Sequence, residues 1–248
     1  MREAAWRQKH PGHPFPRWLK KLARMRVALL YNDPFFLLKL RQATAGRNKD
    51  TSIIVLVARK KPIGRILVSE NSLSLKECAF LIDLYDRYSG LTRCRDYNSR
   101  PLLDYYTLRD VDGESANRVY RVTVRCKENI EAHFDTPELF VESFFVASIV
   151  SGDSHIPHAD NEKREHGKWV PNHTPQRDYT ALVYLNDDFT GGELVFPTLD
   201  VLITPKPGLL VSFPSNHKFV HAVPKVLSGK RYSLPAWFTV NSAKAMQV

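Results

Sequence analysis

Four residues in the last hundred positions of this 248-residue chain have the types and order needed to bind a redox metal and an acidic co-substrate. His158 and Asp160 stand two apart in HIPHADN, and His221 follows in HAVPKV. Two histidines and one carboxylate occupy one face of an octahedral iron(II) ion and leave the opposite face open. Arg231, in GKRYSLPAW, is placed to anchor a dicarboxylate beside the metal. The set predicts oxidative chemistry with O2.

The third metal ligand has several candidates in the sequence. If His158 and Asp160 lie on one strand, its period of two puts both side chains on the same face. His221 has rivals for the remaining position, namely His155, His166, His173 and His217. We favour His221 because it precedes Arg231 by one predicted strand. Ser233 would share a face with Arg231 and add a hydroxyl to the guanidinium.

Short strands dominate the second half of the chain and must position these residues. Gly191-Gly192 and Pro205–Gly208 mark turns between them. The predicted strands are Leu139–Val150, Tyr179–Asn186, Glu193–Phe196, Val201–Thr204, Gly208–Phe213, Phe219–Val223 and Tyr232–Val240. Many short strands at this spacing indicate a barrel or a double-sheet jelly roll.

Helices and loops are predicted around these strands. Ser74 and Glu77 form a capping-box pattern that begins a helix ending near Gly90. The remaining predictions are a buried strand over Ser52–Ala58, an open polar loop over residues 91–117, a strand over Arg118–Arg125 and a polar, lid-like loop over Asn161–Gln176.

The net charge of +10 lies almost entirely in the first 50 residues, which hold 12 Lys/Arg against three acids. Residues 17–32 read as one helix and residues 34–46 as another. We therefore predict a basic helical N-terminal extension over residues 1–50 and a second domain over 51–248. Such an extension suits nucleic acid, an anionic membrane or an acidic partner, although a solvated basic helix explains the charge equally well.

Cellular location is predicted from the cysteines and from the start of the chain. Three cysteines cannot all pair, and basic residues interrupt the first apolar stretch, which argues against a secretory signal. We expect a reducing, cytoplasmic setting. No run of 18 apolar residues occurs, so no transmembrane segment is expected.

The ordered motifs together resemble the iron(II)/2-oxoglutarate-dependent dioxygenases. They are H-x-D-N, R-x5-V-Y-L-N-D, G-G-E-L, P-x-x-G-L-L-V-S-F, H-A and R-Y-S-x-x-x-W. Within that family they look most like the prolyl hydroxylase branch, of the leprecan and prolyl 4-hydroxylase alpha-subunit types. The resemblance implies a mainly β fold with flanking helices and a double-stranded β-helix (jelly roll, cupin-like) core over about residues 139–240.

The resemblance also implies cofactors and residue roles. His158, Asp160 and His221 would bind Fe(2+), and Arg231 with Ser233 would hold the distal carboxylate of 2-oxoglutarate. O2 is the oxidant, and ascorbate is a further candidate cofactor. Residues matching other family positions are Tyr184, on that same carboxylate, and Arg177, Trp237 and Asn161, at the substrate side.

One position departs from the family pattern, because Ile149 stands where many prolyl hydroxylases have a tyrosine. The substrate is therefore open between a prolyl residue of a peptide or protein and a free amino acid or natural-product intermediate. A non-catalytic binding module recruited by the basic extension is the alternative of a different class. A zinc hydrolase would leave Arg231 without a role.

Overall fold

The computed structural model describes residues 66–248. The predicted basic extension with its two helices, the domain boundary after residue 50 and the predicted strand Ser52–Ala58 lie outside the described residues and stay predictions.

The larger layer is a six-stranded antiparallel sheet. Its strands are β1 (Leu67–Ser69), β2 (Leu102–Asp104), β3 (Phe140–Val150), β7 (Tyr179–Tyr184), β11 (Leu210–Pro214) and β14 (Lys230–Thr239). They are arranged in the order β1-β11-β7-β14-β3-β2. Most neighbours in this order are far apart in the sequence, so the chain crosses repeatedly between this sheet and the rest of the core.

The smaller layer has four strands in the order β10-β9-β12-β4. They are β4 (His155–His158), β9 (Leu194–Phe196), β10 (Val201–Ile203) and β12 (His221–Val223). Two further two-stranded sheets join β8 (Thr190–Gly191) to β13 (Val226–Ser228) and β5 (Glu162–Glu165) to β6 (Lys168–Pro171).

Alternation along the central strands divides the larger sheet into two faces. Val183, Leu234 and Phe238 point outward into the core cluster that includes the helices. Tyr184 and Phe213 point the other way and pack with Leu194 and Phe196 of the smaller sheet. The inner face therefore carries Arg231, Ser233 and Trp237, which alternate with the outward residues of β14.

Helices cover the outer face of the larger sheet. They are α1 (Leu75–Tyr88), α2 (Tyr105–Val111) and α3 (Gly113–Phe134). The predicted capping box is confirmed, since the Ser74 side chain accepts from the Glu77 N–H and the Glu77 carboxylate accepts from the Ser74 N–H at 2.8 Å. In the part of the chain that the structure describes, none of the helices is both long and apolar enough to cross a bilayer.

The predicted strand over Arg118–Arg125 is wrong, because this segment lies inside α3. Val119, Val122, Cys126 and Ile130 recur at helical spacing and are all buried. Asp112 caps the helix by accepting the Ser115 N–H at 3.0 Å. The alternating β-branched residues predicted a strand, but the apolar residues at helical spacing form a stripe that packs on the sheet, and this packing decides the structure.

Two predicted loops contain regular structure. The segment 91–117 holds β2, α2 and the first turn of α3, and the segment after the metal motif holds the β5–β6 hairpin. The predicted strands from Leu139 to Val240 are confirmed with small shifts at their ends. One shift concerns Phe219, which closes a 3-10 helix (His217–Phe219) before β12 begins.

Candidate metal centre and co-substrate site

The two histidines of the predicted triad meet across a pair of strands. His158 is the last residue of β4 and His221 is the first of β12, and the antiparallel register places them directly opposite each other. Asp160 follows two residues later, beyond the strand end rather than within it. Its N–H donates to the Ser215 carbonyl at 2.9 Å, which turns its side chain toward the histidines.

The three side chains converge on one point. One ligand atom from each of His158, Asp160 and His221 lies within 4.8 Å of the others. Asp160 Oδ1 is 3.5 Å from His158 Nε2, and Asp160 Oδ2 is 3.7 Å from His221 Nε2. Asp160 and His221 are buried, whereas the His158 side chain is 31% exposed and marks the open side of the centre.

Both imidazoles are oriented by main-chain carbonyls two residues before them. His158 Nδ1 lies 2.8 Å from the Ile156 carbonyl, and His221 Nδ1 lies 3.1 Å from the Phe219 carbonyl. A carbonyl oxygen only accepts, so each Nδ1 carries the proton. In the neutral form of each ring, Nε2 then carries a lone pair aimed into the site. Two such nitrogens and a carboxylate form the donor set that suits iron(II).

The electrostatics of the three groups are coupled. Burial raises the pKa of Asp160, but the two histidines and the Thr180 hydroxyl outweigh it and hold the pKa well below its usual range. Burial, with His158 as its neighbour, lowers the pKa of His221 to about 4. His221 is therefore neutral and Asp160 ionised near pH 7, which are the states that bind a metal.

Residues that the sequence did not single out support Asp160. Thr180 Oγ1 donates to Asp160 Oδ2 at 2.7 Å and lies 2.8 Å from Ser215 Oγ. The Asp160 carbonyl accepts from Thr174 Oγ1 at 2.9 Å and Asn172 Nδ2 at 3.1 Å. These partners come from three separate segments, so no local pattern in the sequence identifies them.

Arg231 lies on the inner face of β14 and is only 2% exposed. Its Nε donates to the Gly192 carbonyl at 2.9 Å, and its Nη1 lies 3.4 Å from Ser233 Oγ. Its guanidinium sits 4.8 Å from the centre of the Tyr184 ring. Burial lowers the pKa of Arg231 and raises that of Tyr184, but a guanidinium stays protonated near neutral pH.

The Tyr184 hydroxyl is buried and has no hydrogen-bond partner among the described residues. A buried charge and an unpaired hydroxyl side by side need a ligand that supplies acceptors. The carboxylate of 2-oxoglutarate fits this requirement. Tyr184 packs in the same cluster as Phe213, whose ring is 4.7 Å from His221, so the anchor and the metal centre share one interior.

The substrate-side residues are arranged around a stacked pair. The Arg177 guanidinium lies 3.9 Å from the centre of the Trp237 ring and pairs with Glu142 at 3.0 Å. Asn161 Nδ2 donates to the Arg177 carbonyl at 2.8 Å. Asn161 therefore contacts the Arg177 segment rather than the side chain of a metal ligand. The buried Trp237 Nε1 and Asn161 Oδ1 have no partner within residues 66–248.

The rival histidines fall outside the ligand group. The His155 ring packs against that of His158 at a tilt, with ring centres 4.4 Å apart, and burial, with His158 beside it, lowers the pKa of His155 to about 3. His217 instead hydrogen-bonds Glu162 at 2.7 Å, while His166 and His173 are exposed. Ile149 lies opposite Arg231 and packs with Val223 of β12 and Val226 of β13, so this wall of the site is apolar.

Comparison with known sequences assigns this region to a family. Residues 144–239 match the model of the 2OG-Fe(II) oxygenase superfamily. Human prolyl 3-hydroxylase 2 is 34% identical over 148 residues, which cover 52% of this chain and 21% of that protein. Human prolyl 3-hydroxylase 1 is also 34% identical, over 20% of its length. The chain thus spans about a fifth of these curated relatives.

Solved structures confirm the fold. The viral collagen prolyl hydroxylase of Paramecium Bursaria Chlorella virus-1, in its 2OG complex, superposes with a TM-score of 0.52 at 21% identity, covering 70% of this chain and 95% of that one. A prolyl hydroxylase from Trichoplax adhaerens, bound to a hypoxia inducible factor peptide fragment, gives 0.52 at 20% identity, covering 71% and 84%. The predicted jelly-roll core is therefore correct.

Proposed function

We propose that this chain, which carries a domain of the 2OG-Fe(II) oxygenase superfamily, is an iron(II)- and 2-oxoglutarate-dependent hydroxylase of a prolyl residue in a peptide or protein. The observation that carries the proposal is the convergence of His158, Asp160 and His221 within 4.8 Å in one interior with the buried Arg231. Bound iron(II) and 2-oxoglutarate supply the oxidising chemistry that side chains lack.

Each residue of the chain has a defined task in this proposal. His158 and His221 present neutral Nε2 atoms to the metal, and Asp160 offsets part of its charge. Arg231 and Tyr184 hold the distal carboxylate of 2-oxoglutarate, so the other end of that molecule points toward the metal. The apolar wall at Ile149 keeps water from the anchor and strengthens the ion pair.

The relatives support a prolyl substrate. The two human relatives described above are prolyl 3-hydroxylases, and one fold neighbour was solved with a peptide fragment. His158 marks an open side, where the partly exposed Arg177 and Trp237 lie on the adjoining inner face. An entrance formed by these side chains suits an extended peptide that presents its proline ring to the metal.

The direct test is the turnover of 2-oxoglutarate to succinate with iron(II), first without a substrate and then with a panel of proline peptides and free amino acids. We expect iron-dependent succinate formation that a proline peptide stimulates, with the peptide gaining one oxygen by mass spectrometry. Stimulation by a free amino acid alone would move the substrate to that class. Absence of succinate from folded, iron-loaded protein would favour a non-catalytic binding module.

We also propose that the basic N-terminal extension, residues 1–50, binds an acidic partner. Its 12 Lys/Arg against three acids give it a charge that the rest of the chain lacks. Electrostatic attraction of this kind raises association rates and falls with salt. Binding of this partner would not depend on the chemistry at the metal centre.

A reducing, cytoplasmic setting is likewise proposed. Cys78, Cys94 and Cys126 are all free, and the first and last of them are buried away from any partner sulfur. Free thiols persist where the surroundings are reducing. Fractionation of cells that produce the full chain is the measurement that decides it.

A further inference from the structure

Two buried hydroxyl groups stand behind the metal-binding carboxylate. Thr180 is 1% exposed and Ser215 is 2% exposed. Thr180 Oγ1 lies 2.7 Å from Asp160 Oδ2 and 2.8 Å from Ser215 Oγ. Thr180 is the first residue of β7 whose side chain lies on the inner face of the larger sheet. Ser215 directly follows β11, which pairs with β7 in that sheet. The three groups form a short hydrogen-bonded chain that ends on the metal ligand.

Proton counting fixes the direction of this chain. Asp160 is ionised and only accepts, so the single proton of the Thr180 hydroxyl is donated to Oδ2. Thr180 then has no proton left for Ser215, and the Ser215 hydroxyl must donate to Thr180. The order is therefore Ser215 to Thr180 to Asp160. A bond that ends on a carboxylate is charge-assisted, and its 2.7 Å length agrees with that.

The main chain of Asp160 is held independently of its carboxylate. Its N–H donates to the Ser215 carbonyl, and its own carbonyl accepts from Thr174 and Asn172. These bonds fix where the residue sits but leave the carboxylate free to rotate. Among the described residues, the hydroxyl of Thr180 is the hydrogen-bond donor that sets this rotation.

We propose that Thr180 and Ser215 are positioning residues that make Asp160 a single-oxygen metal ligand, binding through Oδ1, a role that rests on the proposed function. Oδ2 accepts the Thr180 hydrogen bond and lies 3.7 Å from His221 Nε2, whereas Oδ1 accepts no bond from Thr180 and lies 3.5 Å from His158 Nε2. Binding through one oxygen leaves more positions on the metal for the co-substrate and O2. A carboxylate that rotated until both oxygens faced the metal would close one of those positions.

The test is titration of the full chain with Co(II), followed by the absorption of the bound metal, beside a thermal unfolding curve without metal. We expect Thr180→Val to weaken Co(II) binding by about 10–100-fold and to change the ligand-field spectrum. Thr180→Ser, which keeps the hydroxyl, should remain within about threefold of the parent, because the donor to Oδ2 persists. Ser215→Ala keeps its carbonyl contact and should fall between them.

Thr123→Val is the matched control. Thr123 is a fully buried threonine of α3 whose hydroxyl donates to Val119, far from the metal centre in the sequence and on the opposite side of the larger sheet. It should leave Co(II) affinity and spectrum unchanged, with at most a small change in the unfolding temperature. That result separates loss of a buried hydroxyl as such from loss of this one.

The outcomes distinguish this inference from the proposed function. A parent protein that folds but binds neither Co(II) nor Fe(II) would remove the metal centre and the function with it. A Thr180→Val variant with parental affinity and spectrum would overturn the positioning role while leaving the function intact. If Thr180→Val does not fold, Ser215→Ala decides, and parental affinity and spectrum in that variant would overturn the proposal.

Discussion

At the scale of single residues, the metal centre depends on short-range hydrogen bonds. Each histidine is oriented by a carbonyl two positions earlier in its own segment. Residue type and spacing were therefore enough to predict the two histidine ligands. The carboxylate is different, because Thr180 reaches Asp160 only after β7 has joined the sheet. This is why the sequence pointed to the ligands and missed the hydroxyl groups that support one of them.

Arg231→Ala should raise the KM for 2-oxoglutarate by orders of magnitude while leaving iron binding nearly unchanged. The substitution removes a charge-assisted pair from a dry site, a loss of about 2–5 kcal/mol. Steady-state kinetics over a range of 2-oxoglutarate concentrations, together with metal titration, measures both quantities.

Lys230→Ala is the matched control for that experiment. The substitution removes the same charge from the neighbouring position. Lys230, however, pairs with Asp86 on the other side of the sheet at 2.6 Å. Its loss should leave the KM unchanged. An unaltered 2-oxoglutarate dependence in the Arg231 variant would place the anchor elsewhere.

At the scale of elements, the start of α1 is stabilised by a charge. Burial raises the pKa of Glu77, but hydrogen bonds from Ser74 and Arg125 outweigh it and lower the pKa from 4.5 to about 2. A carboxyl whose pKa is depressed on folding stabilises the protein above its unfolded pKa. That stabilisation is lost as pH falls from about 4.5 toward 2.

Glu77→Gln should therefore lower the free energy of unfolding by about 0.5–2 kcal/mol at pH 7, in the range of a lost cap. The difference from the parent should shrink as pH drops below about 4.5, because the unfolded parent takes up a proton there while the folded carboxylate, with its pKa of about 2, stays charged. Urea unfolding at pH 7, 4 and 3 measures it. A deficit that stays constant over this range would mean that packing, not charge, holds Glu77 in place.

The elements also show where sequence patterns fail. The alternation along Arg118–Arg125 predicted a strand, yet Val119 and Val122 lie on the buried stripe of α3. Local β propensity is worth about 1 kcal/mol at most, and a 22-residue helix packed on a sheet outweighs it. The helix α1 was predictable because its capping box and its apolar face agree with each other.

At the scale of the whole molecule, the charge and the chemistry occupy different parts of the chain. Every proposed metal or co-substrate residue lies at 158 or beyond, while residues 1–50 hold most of the net charge. The jelly roll was predictable because its motifs follow one another in a fixed order. The sequence does not predict where residues 1–50 lie, because a run of charged residues gives no pattern of buried positions.

Charge reversal at Lys20, Lys21, Arg24 and Arg26 should abolish salt-sensitive retention on an anionic matrix without changing 2-oxoglutarate turnover. Such attraction is screened over about 10 Å at 0.1 M salt. Retention is followed by elution against a salt gradient, and turnover by succinate formation. Lost turnover in a variant that still folds would mean that the extension belongs to the active site.

The pairing of His158 with His221 has a consequence for the life of the protein. β4 is a four-residue strand at the edge of its sheet, and its ladder to β12 is irregular between the two register pairs. A metal bound by residues of both strands would link β4 to β12. It would add about 2.7 kcal/mol to the free energy of unfolding when free iron is a hundredfold above its Kd. Amide protons of β4 should exchange with deuterium faster when a chelator is present. Bound iron would then slow proteolysis of this protein in addition to the role proposed for it in the chemistry.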